Sequence, residues 1–579
     1  MLIYKDIMDN KITKIICQNC KKDFFIEPDD FKFYEKIKVP APTFCPECRL
    51  QRRFSWRNER TLYKRNCDLC GKSIIAVFSL DKPTPVYCHD CWWSDRWDAV
   101  VYGKMNNFNQ PLLAQFQKLI LQVPLPNLTA INNTNSNYIN LGRDNKNCYF
   151  SVSPIKCEDS AYIYRADDSS FCFDSSFLAN CESCYEIIDT NTCNHVFFSR
   201  YAENCIDSHF LFDCRNCQNC FGCVNLINKS YQILNKQYSK EEYTKIISEI
   251  KGNYFKLSKF KKEFFEFIKK YPHRYANLHN TSNVIGDNMM NFRNGYYCFD
   301  GTKTTTGENC KYIIGSIGQT TDSYDVSYPI KPNFCYEIQS GEPSFSAFIN
   351  RSNNIHHCQY TQHCYSSHDL FACIGLRSKQ YCILNKQYTK EEYEALVPKI
   401  IKHMNDMPYI DKKGRIYRYG EFFPSELSPF CYNETIAQEY FPLTKEEATE
   451  QGYKWKEKEE RNYNIDIKTE NIPNDIKEVD ESIINKVIEC EHQGKCNEQC
   501  TEAFKIIPDE LSFYKRMNLP IPHFCPNCRH YNRLKQRNPL KLWHRKCMKP
   551  NCPNEFETSY APDRPEIVYC EKCYQQEVY

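Results

Sequence analysis

Cysteine pairs at matched spacings near both ends of the chain constrain this sequence more than any other feature. The N-terminal pairs are Cys17 and Cys20, Cys45 and Cys48, Cys67 and Cys70, and Cys88 and Cys91. The C-terminal pairs are Cys496 and Cys500, Cys525 and Cys528, Cys547 and Cys552, and Cys570 and Cys573. In both sets the gaps between successive pairs are 24, 18 and 17 residues, so the ends are copies of one tandem module.

Paired cysteines at this spacing are typical of structural zinc sites. A Cys-x2-Cys turn directs two thiolates to one point about 2.3 Å away, and two such turns complete a tetrahedral site with no open position. We therefore expect four structural zinc ions, each held by two consecutive pairs. An interleaved cross-brace, a rubredoxin-type iron centre and disulfides are the alternatives.

One C-terminal site departs from the regular pattern. Cys490 stands six positions before Cys496 and has no counterpart at the other end. It either replaces Cys496 as a zinc ligand or stays free. The wider spacings Cys496-x3-Cys500 and Cys547-x4-Cys552 also loosen two of the turns.

Composition and the N-terminus bear on location and partners. The formal net charge is only +3, so the overall charge does not predict a polyanionic partner such as a nucleic acid. The first ten residues lack the basic region and apolar run of a secretory signal. No stretch approaches about 18 consecutive apolar residues, so no membrane partner is expected. The sequence predicts a soluble cytoplasmic protein whose thiols stay reduced or bind metal.

Local motifs in the first module also resemble a known family. Cys17-Gln-Asn-Cys20, Phe33-Tyr34 and Pro46-Glu-Cys48-Arg49 resemble the bacterial "probable zinc-ribbon" family, over about the first 50 residues and again at roughly 490–530. The adjoining Cys-x2-Cys-x17-Cys-x2-Cys units resemble another small zinc-ribbon type, and the whole chain is similar to large bacterial proteins with ribbons at both ends. The resemblance implies zinc binding and brings no catalytic residues.

Basic residues form a stripe after the second cysteine pair of each end. Its arginines are spaced four apart, and they are Arg49, Arg53 and Arg57 in one copy and Arg529, Arg533 and Arg537 in the other. In a helix, side chains at this spacing share one face. Each stripe is therefore a candidate nucleic-acid surface, with RNA or the ribosome as partner. The alternative is a helix face whose arginines pair with acidic residues of the protein body.

The middle of the chain is a second duplication. Residues 231–243 recur almost unchanged at 381–393, and within each half aromatic residues recur mostly every 11 to 13 positions. Short strands at one spacing with polar turns predict a repeat architecture. We expect a parallel β-solenoid whose coil takes about 24 residues, with aromatic and cysteine side chains inside. An antiparallel sandwich is the alternative.

The fold class expected is multidomain and mainly β, with zinc-ribbon modules flanking the repeat body. Capping boxes after Ser239 and Thr389 predict a helix at the end of each half. The predicted segments are a tandem zinc-ribbon module at 1–100, a helical linker at 101–131, the first β-repeat half at 132–250, a helical connector at 251–282, the second half at 283–402, an irregular charged linker at 403–488 and a tandem zinc-ribbon module at 489–579.

The 18 cysteines from Cys148 to Cys382 have a separate interpretation. As small buried side chains they need no metal, although Cys214, Cys217, Cys220 and Cys223 also have the spacing of an iron–sulfur or extra zinc site. The leading functional hypothesis is a non-catalytic zinc-binding or scaffold protein that contacts RNA or another protein. The alternatives are an enzyme acting on glycans or nucleotides along the solenoid, and a redox sensor.

Overall fold

In the computed structural model of the protein, residues 12–302, 305–316, 318–458 and 464–578 are described. The segment on which the lack of a secretory signal was predicted lies outside them. The chain forms two compact units, each assembled from two distant parts of the sequence. The first unit joins the chain up to Asn127 with Ala276–Lys456, and the second joins Leu128–Tyr275 with the chain from Glu457. Each cysteine-rich end is thus grouped with the repeat half farther from it in sequence.

Helices lie in the terminal modules and in the segments before, between and after the repeat halves. They are α1 Pro28–Lys36, α2 Pro46–Phe54, α3 His89–Trp93, α4 Leu112–Ile120, α5 Lys240–Ile250, α6 Tyr254–Ile268, α7 Lys390–Asp406, α8 Ile436–Tyr440, α9 Lys445–Glu450, α10 Pro508–Met517, α11 Pro526–Leu534 and α12 Glu571–Val578. The predicted capping boxes are present: Ser239 and Glu242 cap α5, and Thr389 and Glu392 cap α7. Among the described residues, no helix is long and apolar enough to cross a membrane.

The repeat half of the second unit consists of successive parallel strands. Its strands are Ala130–Ile131, Gly142–Arg143, Val152–Ile155, Tyr164–Asp167, Ser176–Ala179, Ile188–Asn191, Asn194–Phe197, Ile206–Phe212, Gln218–Val224 and Ser230–Ile233, closed by antiparallel Lys236–Gln237. Tyr164 pairs with Ser176, and Ser176 pairs with Ile188. Paired positions are therefore 12 residues apart. Neighbouring strands are thus separated by one 12-residue aromatic repeat, whereas the sequence predicted a coil of two such repeats. The parallel pairing excludes the antiparallel sandwich for this half.

A three-residue backbone rhythm underlies this pairing. Every third residue from Asn132 to Leu234 has a positive φ. Such a conformation costs a non-glycine residue roughly 1–2 kcal/mol, least for Asn and Asp. This preference explains why Asn and Asp recur between the short strands, as at Asn147, Asp159 and Asp174.

The residue after most of these positive-φ positions belongs to a buried row of small side chains. The row contains Cys148, Cys157, Cys172 and Cys181, together with other cysteines, Ile, Leu, Val and Ala. Serines in the same row accept inward amides of the neighbouring strand: Ser160 Oγ accepts the N–H of Cys172 at 3.0 Å. Because buried amides need acceptors, the row favours small residues with a polar or soft atom.

Aromatic residues lie elsewhere than predicted. Tyr162, Phe173, Tyr185 and Phe197 belong to a second buried cluster, which includes residues of α5, α6 and the C-terminal module. They are therefore on the flank of the repeat half, while the cysteines form the row. Only small side chains and aliphatic groups fill that row, which explains the separation.

The repeat half of the first unit follows the same plan less regularly. Its strands are Leu278–His279, Ser282–Asp287, Met289–Met290, Phe292–Phe299, Thr306–Ile314, Gln319–Thr321, Tyr324–Pro329, Tyr336–Ser344, Ala347–His356, Gln359–Gln362, Tyr365–Phe371, Gln380–Ile383 and Lys386–Gln387. Tyr324 pairs in parallel with Tyr336, and Tyr336 with Ala347. The segment at 403–456, expected as irregular linker, buries Phe422 and Phe423 completely in this unit.

The remaining strands belong mostly to the cysteine-rich ends. In the first unit they are Thr13–Ile16 with Asp23–Ile26, Tyr63–Asn66 with Ser73–Ala76, Val86–Tyr87 with Leu125–Pro126, and Tyr409–Ile410 with Ile416–Tyr417. In the second unit they are Ile488–Glu489 with Ala503–Phe504, Trp543–Lys546 with Glu555–Thr558, and Pro272–Arg274 with Ile567–Tyr569. The four hairpins that enclose cysteine turns position the sites described next.

Candidate metal centres

Each cysteine cluster is built from a hairpin and the start of a helix. Cys17 directly follows the strand Thr13–Ile16, and Cys20 lies in the turn of that hairpin. Cys45 is the N-cap of α2, and Cys48 lies in its first turn. The N-terminus of a helix favours a negative group, so this arrangement stabilises thiolates.

Four groups of cysteines bring their sulfur atoms within 4.8 Å of one another. They are Cys17, Cys20, Cys45 and Cys48; Cys67, Cys70, Cys88 and Cys91; Cys490, Cys500, Cys525 and Cys528; and Cys547, Cys552, Cys570 and Cys573. The grouping is sequential, not cross-braced.

The sulfur separations match a metal tetrahedron. A Zn–S distance of about 2.3 Å gives a tetrahedron edge of about 3.8 Å. The Sγ atoms of Cys20 and Cys45 are 3.7 Å apart, and those of Cys70 and Cys88 are 3.9 Å apart. A disulfide requires about 2.05 Å, and all 36 cysteines are free thiols. The donor set therefore fits a four-thiolate zinc ion.

A backbone hydrogen bond recurs in these clusters. The amide of the third cysteine donates to the sulfur of the first, from Cys88 N to Cys67 Sγ at 3.2 Å and from Cys570 N to Cys547 Sγ at 3.3 Å. Burial opposes ionisation of Cys67, but the backbone N–H groups of Cys88, Cys70 and Leu69 outweigh it and lower its pKa to about 6. The site is prepared for a thiolate near neutral pH.

In the third cluster, Cys490 joins Cys500, Cys525 and Cys528, which is the alternative that the sequence left open. Cys490 takes the position assigned to Cys496: it directly follows the strand Ile488–Glu489, and its sulfur accepts the amide of Cys525 at 3.2 Å. It thus occupies the place of Cys17 in the first cluster. Cys496 instead joins His492, Glu498 and Cys528 in a fifth group. The signal available in sequence was the β-prone stretch Val487–Glu489 immediately before Cys490.

The arginine stripes lie on helices or just after them, but they do not face solvent. The side chains of Arg49, Arg53, Arg57, Arg529, Arg533 and Arg537 are at most 5% exposed. Arg57 pairs with Glu59 and lies 4.6 Å over the ring of Tyr328. The predicted nucleic-acid surface is therefore not formed by these residues, because their charges are already neutralised inside the protein.

In the first unit the arginines bind carboxylates of the repeat half. Arg49 Nη2 and Arg53 Nη1 contact the two oxygens of Asp325, at 2.8 and 3.1 Å. Arg53 Nη1 also contacts Glu337 at 2.9 Å. Arg52, which the four-residue spacing missed, contacts the other oxygen of Glu337 at 2.6 Å. Helix α2 is thereby locked to the repeat strands by a buried ionic network.

The second unit repeats this arrangement. Arg529 Nη1 and Arg533 Nη1 contact the two oxygens of Asp174, at 2.8 and 3.0 Å. Arg537 Nε contacts Asp189 at 3.0 Å. Burial disfavours the charge on Arg529, but Asp174 and neighbouring Tyr514 outweigh it and hold the arginine pKa above its ordinary value. Each of the three guanidinium groups therefore contacts at least one carboxylate.

Aromatic contacts are duplicated along with the ion pairs. Phe33 stacks on Tyr324 with ring centroids 3.8 Å apart, and Phe513 stacks on Phe173 at 4.5 Å. Edge contacts match as well, between Tyr34 and Tyr336 at 5.4 Å and between Tyr514 and Tyr185 at 5.6 Å. Module and repeat half therefore form one duplicated structural unit, not two unrelated duplications.

The central cysteines do not form a metal cluster in the described part of the chain. Cys214, Cys217, Cys220 and Cys223 are not among the groups whose sulfurs come together. Their sulfurs lie against backbone carbonyls, for example Cys214 Sγ at 3.4 Å from the carbonyl of Cys223. This geometry agrees with their interpretation as small buried side chains.

Comparison with protein-family models and with curated proteins finds no match for this chain. The resemblance to the "probable zinc-ribbon" family therefore has no support beyond the cysteine clusters themselves. These clusters, suited to metal, are the firm functional feature.

Proposed function

We propose that this chain is a non-catalytic zinc protein in which four zinc ions stabilise terminal modules that clamp a repeat scaffold. The observation that carries the proposal is the set of four closed clusters, each with four cysteine sulfurs at the separations of a zinc tetrahedron. Four thiolates leave no position for water or substrate, so such zinc is structural and its binding energy contributes to folding. A reducing compartment, the cytoplasm, suits these free thiols.

The scaffold in this proposal is a pair of β-solenoids with 12-residue coils. A turn at every third residue divides each 12-residue repeat into four short sides. The parallel pairing of positions 12 apart supports a chain that returns above its starting point after those four sides. A coil this small has room only for small inner side chains, which agrees with the buried row of cysteines and serines.

The modules act in this proposal as clamps on the scaffold. The arginines of their basic helices bind carboxylates inside the protein. The carboxylates are Asp325 and Glu337 in one unit and Asp174 in the other. The flank that the modules cover would otherwise expose aromatic rings such as Phe173 and Tyr324. A partner of the scaffold would then be a protein that binds the remaining surface, since the arginines are not available to RNA.

Metal content tests the zinc part of the proposal. Protein purified without added metal is weighed intact by native mass spectrometry, and its metals are identified by elemental analysis. We expect zinc in every four-thiolate cluster, and Cys67→Ser lowers the zinc content by one ion because the second cluster loses a ligand. The matched control is Cys148→Ser, a buried cysteine outside the clusters at a position type that serine also occupies; its zinc content stays that of the unaltered chain.

Two results would overturn the proposal. Iron in place of zinc would assign the clusters to electron transfer. Zinc content in Cys67→Ser equal to that of the unaltered chain would show that the second cluster holds no metal.

A further inference from the structure

An inserted loop distinguishes the third cluster from the other three. Nine residues separate its first two ligands, Cys490 and Cys500, whereas two residues separate Cys17 and Cys20. The additional loop carries His492, Cys496 and Glu498, three residue types that bind zinc. Four-thiolate coordination is already complete without them, so they require another explanation.

The three side chains direct their donor atoms to one sulfur of the finished cluster. His492 Nδ1 lies 3.2 Å and Cys496 Sγ lies 3.7 Å from Cys528 Sγ. His492 Nδ1 is 3.3 Å from Glu498 Oε2. All four donor atoms lie within 4.8 Å of one another. One nitrogen, one oxygen and two sulfurs thus surround a common point.

The environment of Glu498 independently indicates a cation site. The residue is only 5% exposed, and its Oε2 atom has no hydrogen-bond partner within the described residues. Its other oxygen, Oε1, is held by Lys535 Nζ, which leaves Oε2 turned toward His492. A buried carboxylate oxygen that accepts no hydrogen bond is costly, and a metal ion bound between Glu498 and His492 would satisfy it.

Cys528 lies at the corner shared by the two donor sets. Its sulfur is 3.9 Å from Cys490 Sγ and 3.5 Å from Cys525 Sγ on one side. On the other side it faces Cys496 and His492 at the distances given above. A thiolate has lone pairs enough to bind two metal ions at once.

We propose that the third cluster is a dinuclear zinc centre in which the Cys528 thiolate bridges the two ions. The inner ion has the ligands Cys490, Cys500, Cys525 and Cys528, and the outer ion has His492, Cys496, Glu498 and Cys528. This inference rests on the proposed zinc function of the four-thiolate clusters.

The outer donor set selects the class of metal. Thiolate with imidazole favours zinc and disfavours calcium or magnesium, which prefer oxygen ligands. The outer ion brings two positive charges, which balance the two additional anionic ligands, Cys496 and Glu498. His492 is 29% exposed in its side chain, so the outer ion is the one that exchanges with solvent.

Counting metal ions tests the dinuclear centre. Native mass spectrometry of the full chain, loaded with zinc and then freed of excess metal, should show five ions. Cys496→Ser and, separately, His492→Gln should each show four, because each removes a ligand of the outer ion alone. Cys67→Ser, in another cluster, serves as the reference for loss of an inner-type ion and also shows four. Loading with cadmium-113 gives a second readout: two resonances coupled to each other through the Cys528 sulfur, absent in Cys496→Ser.

Different failures of this test have different meanings. Four ions in the unaltered chain, still four in Cys496→Ser and three in Cys67→Ser, would overturn the dinuclear centre while leaving the zinc proposal intact. Four ions that fall to three in Cys496→Ser would show that Cys496 holds the single zinc of this cluster, which also overturns the inference. No loss in Cys67→Ser would refute the zinc proposal itself.

Discussion

The buried pair between Arg533 and Asp174 allows a sharp test of the clamp. Both side chains are at most 2% exposed, and the Nη1–Oδ1 distance is 3.0 Å. Asp174 has a φ of 47°, a conformation that Asn also tolerates. Asp174→Asn therefore removes the charge with little change in shape or backbone preference.

The expected loss of stability is large because the arginines remain. Breaking a buried ion pair by removing one partner costs about 3–5 kcal/mol, since the other charge is left uncompensated. Arg529 keeps a second carboxylate, Glu510 at 2.9 Å, so the stranded charge is chiefly that of Arg533. For a domain of this size each kcal/mol shifts the midpoint of thermal unfolding by about 2–4 °C. We expect a downward shift of about 6–20 °C in the transition of the second unit.

Two further variants separate charge from structure in this test. Arg533→Met added to Asp174→Asn should recover much of the loss, because it removes the stranded guanidinium. Asp207→Asn is the matched control, since Asp207 has a φ of 48° and its side chain is 46% exposed; its removal should cost less than about 1 kcal/mol. Calorimetry or circular dichroism measures the transitions. An equal effect of Asp174→Asn and Asp207→Asn would refute the reasoning.

Two other predictions concern the interior of the repeat halves. Ser160→Ala should lower the free energy of unfolding, measured by chemical denaturation, by about 1–3 kcal/mol, because the amide of Cys172 loses its acceptor. Ser160→Cys should lower it less, because the thiol can still accept. Equal losses would contradict the proposed role of the acceptor. Burial, and secondarily Arg351, lowers the pKa of His363 to about 3. As the pH falls, the unfolded chain therefore takes up the histidine proton before the folded chain does. The folding free energy from this histidine is fully present above about pH 6.5 and is lost as the pH falls toward 3. Between pH 7 and 5, the free energy of unfolding of His363→Asn should therefore fall by about 2 kcal/mol less than that of the unaltered chain. For His357→Asn, at an exposed position, the fall should equal that of the unaltered chain.

Local chemistry in the ends could be predicted from the sequence because the ligands of each cluster are close in the chain. The spacing between second and third ligands identified Cys20 with Cys45 and Cys500 with Cys525, and the structure brings both pairs together. Spacing placed Cys496 in the third cluster and left the role of Cys490 open, because spacing alone does not show which cysteine follows a strand. The stretch before Cys490 has the β-prone residues that also precede Cys17.

The repeat halves show a period that the aromatic residues conceal. Recurrence of aromatic residues every 11 to 13 positions matches the 12-residue separation of paired positions, although we expected a coil of about 24 residues. The buried row follows a period of three, as in Cys214, Cys217, Cys220 and Cys223. Neither a helical nor a strand period is three, so this spacing also fitted a metal site, which was the alternative to packing of small buried side chains. Asn and Asp at the intervening positive-φ positions were the available signal.

The fate of the arginines could not be predicted in this way, because their partners are distant in sequence. Arg49 and Asp325 are 276 residues apart, and Arg533 and Asp174 are 359 apart. A spacing of four fixes a common helix face but does not determine whether that face meets solvent, nucleic acid or protein. The buried carboxylates of the repeat halves determine that this face meets protein.

The grouping of each end with the distant repeat half has a consequence for assembly. The zinc ligands of the first cluster span only Cys17 to Cys48, so this module can fold on metal as soon as it is made. The partners of its arginines, Asp325 and Glu337, are synthesised later than the module. For the C-terminal module the order is reversed, because Asp174 is synthesised before the arginines that it binds. Closing so long a loop is slow but costs little more free energy than closing a short one. The buried charges of Arg49 and Arg53 therefore favour docking on a repeat half that offers matching carboxylates, as Asp325 and Glu337 do.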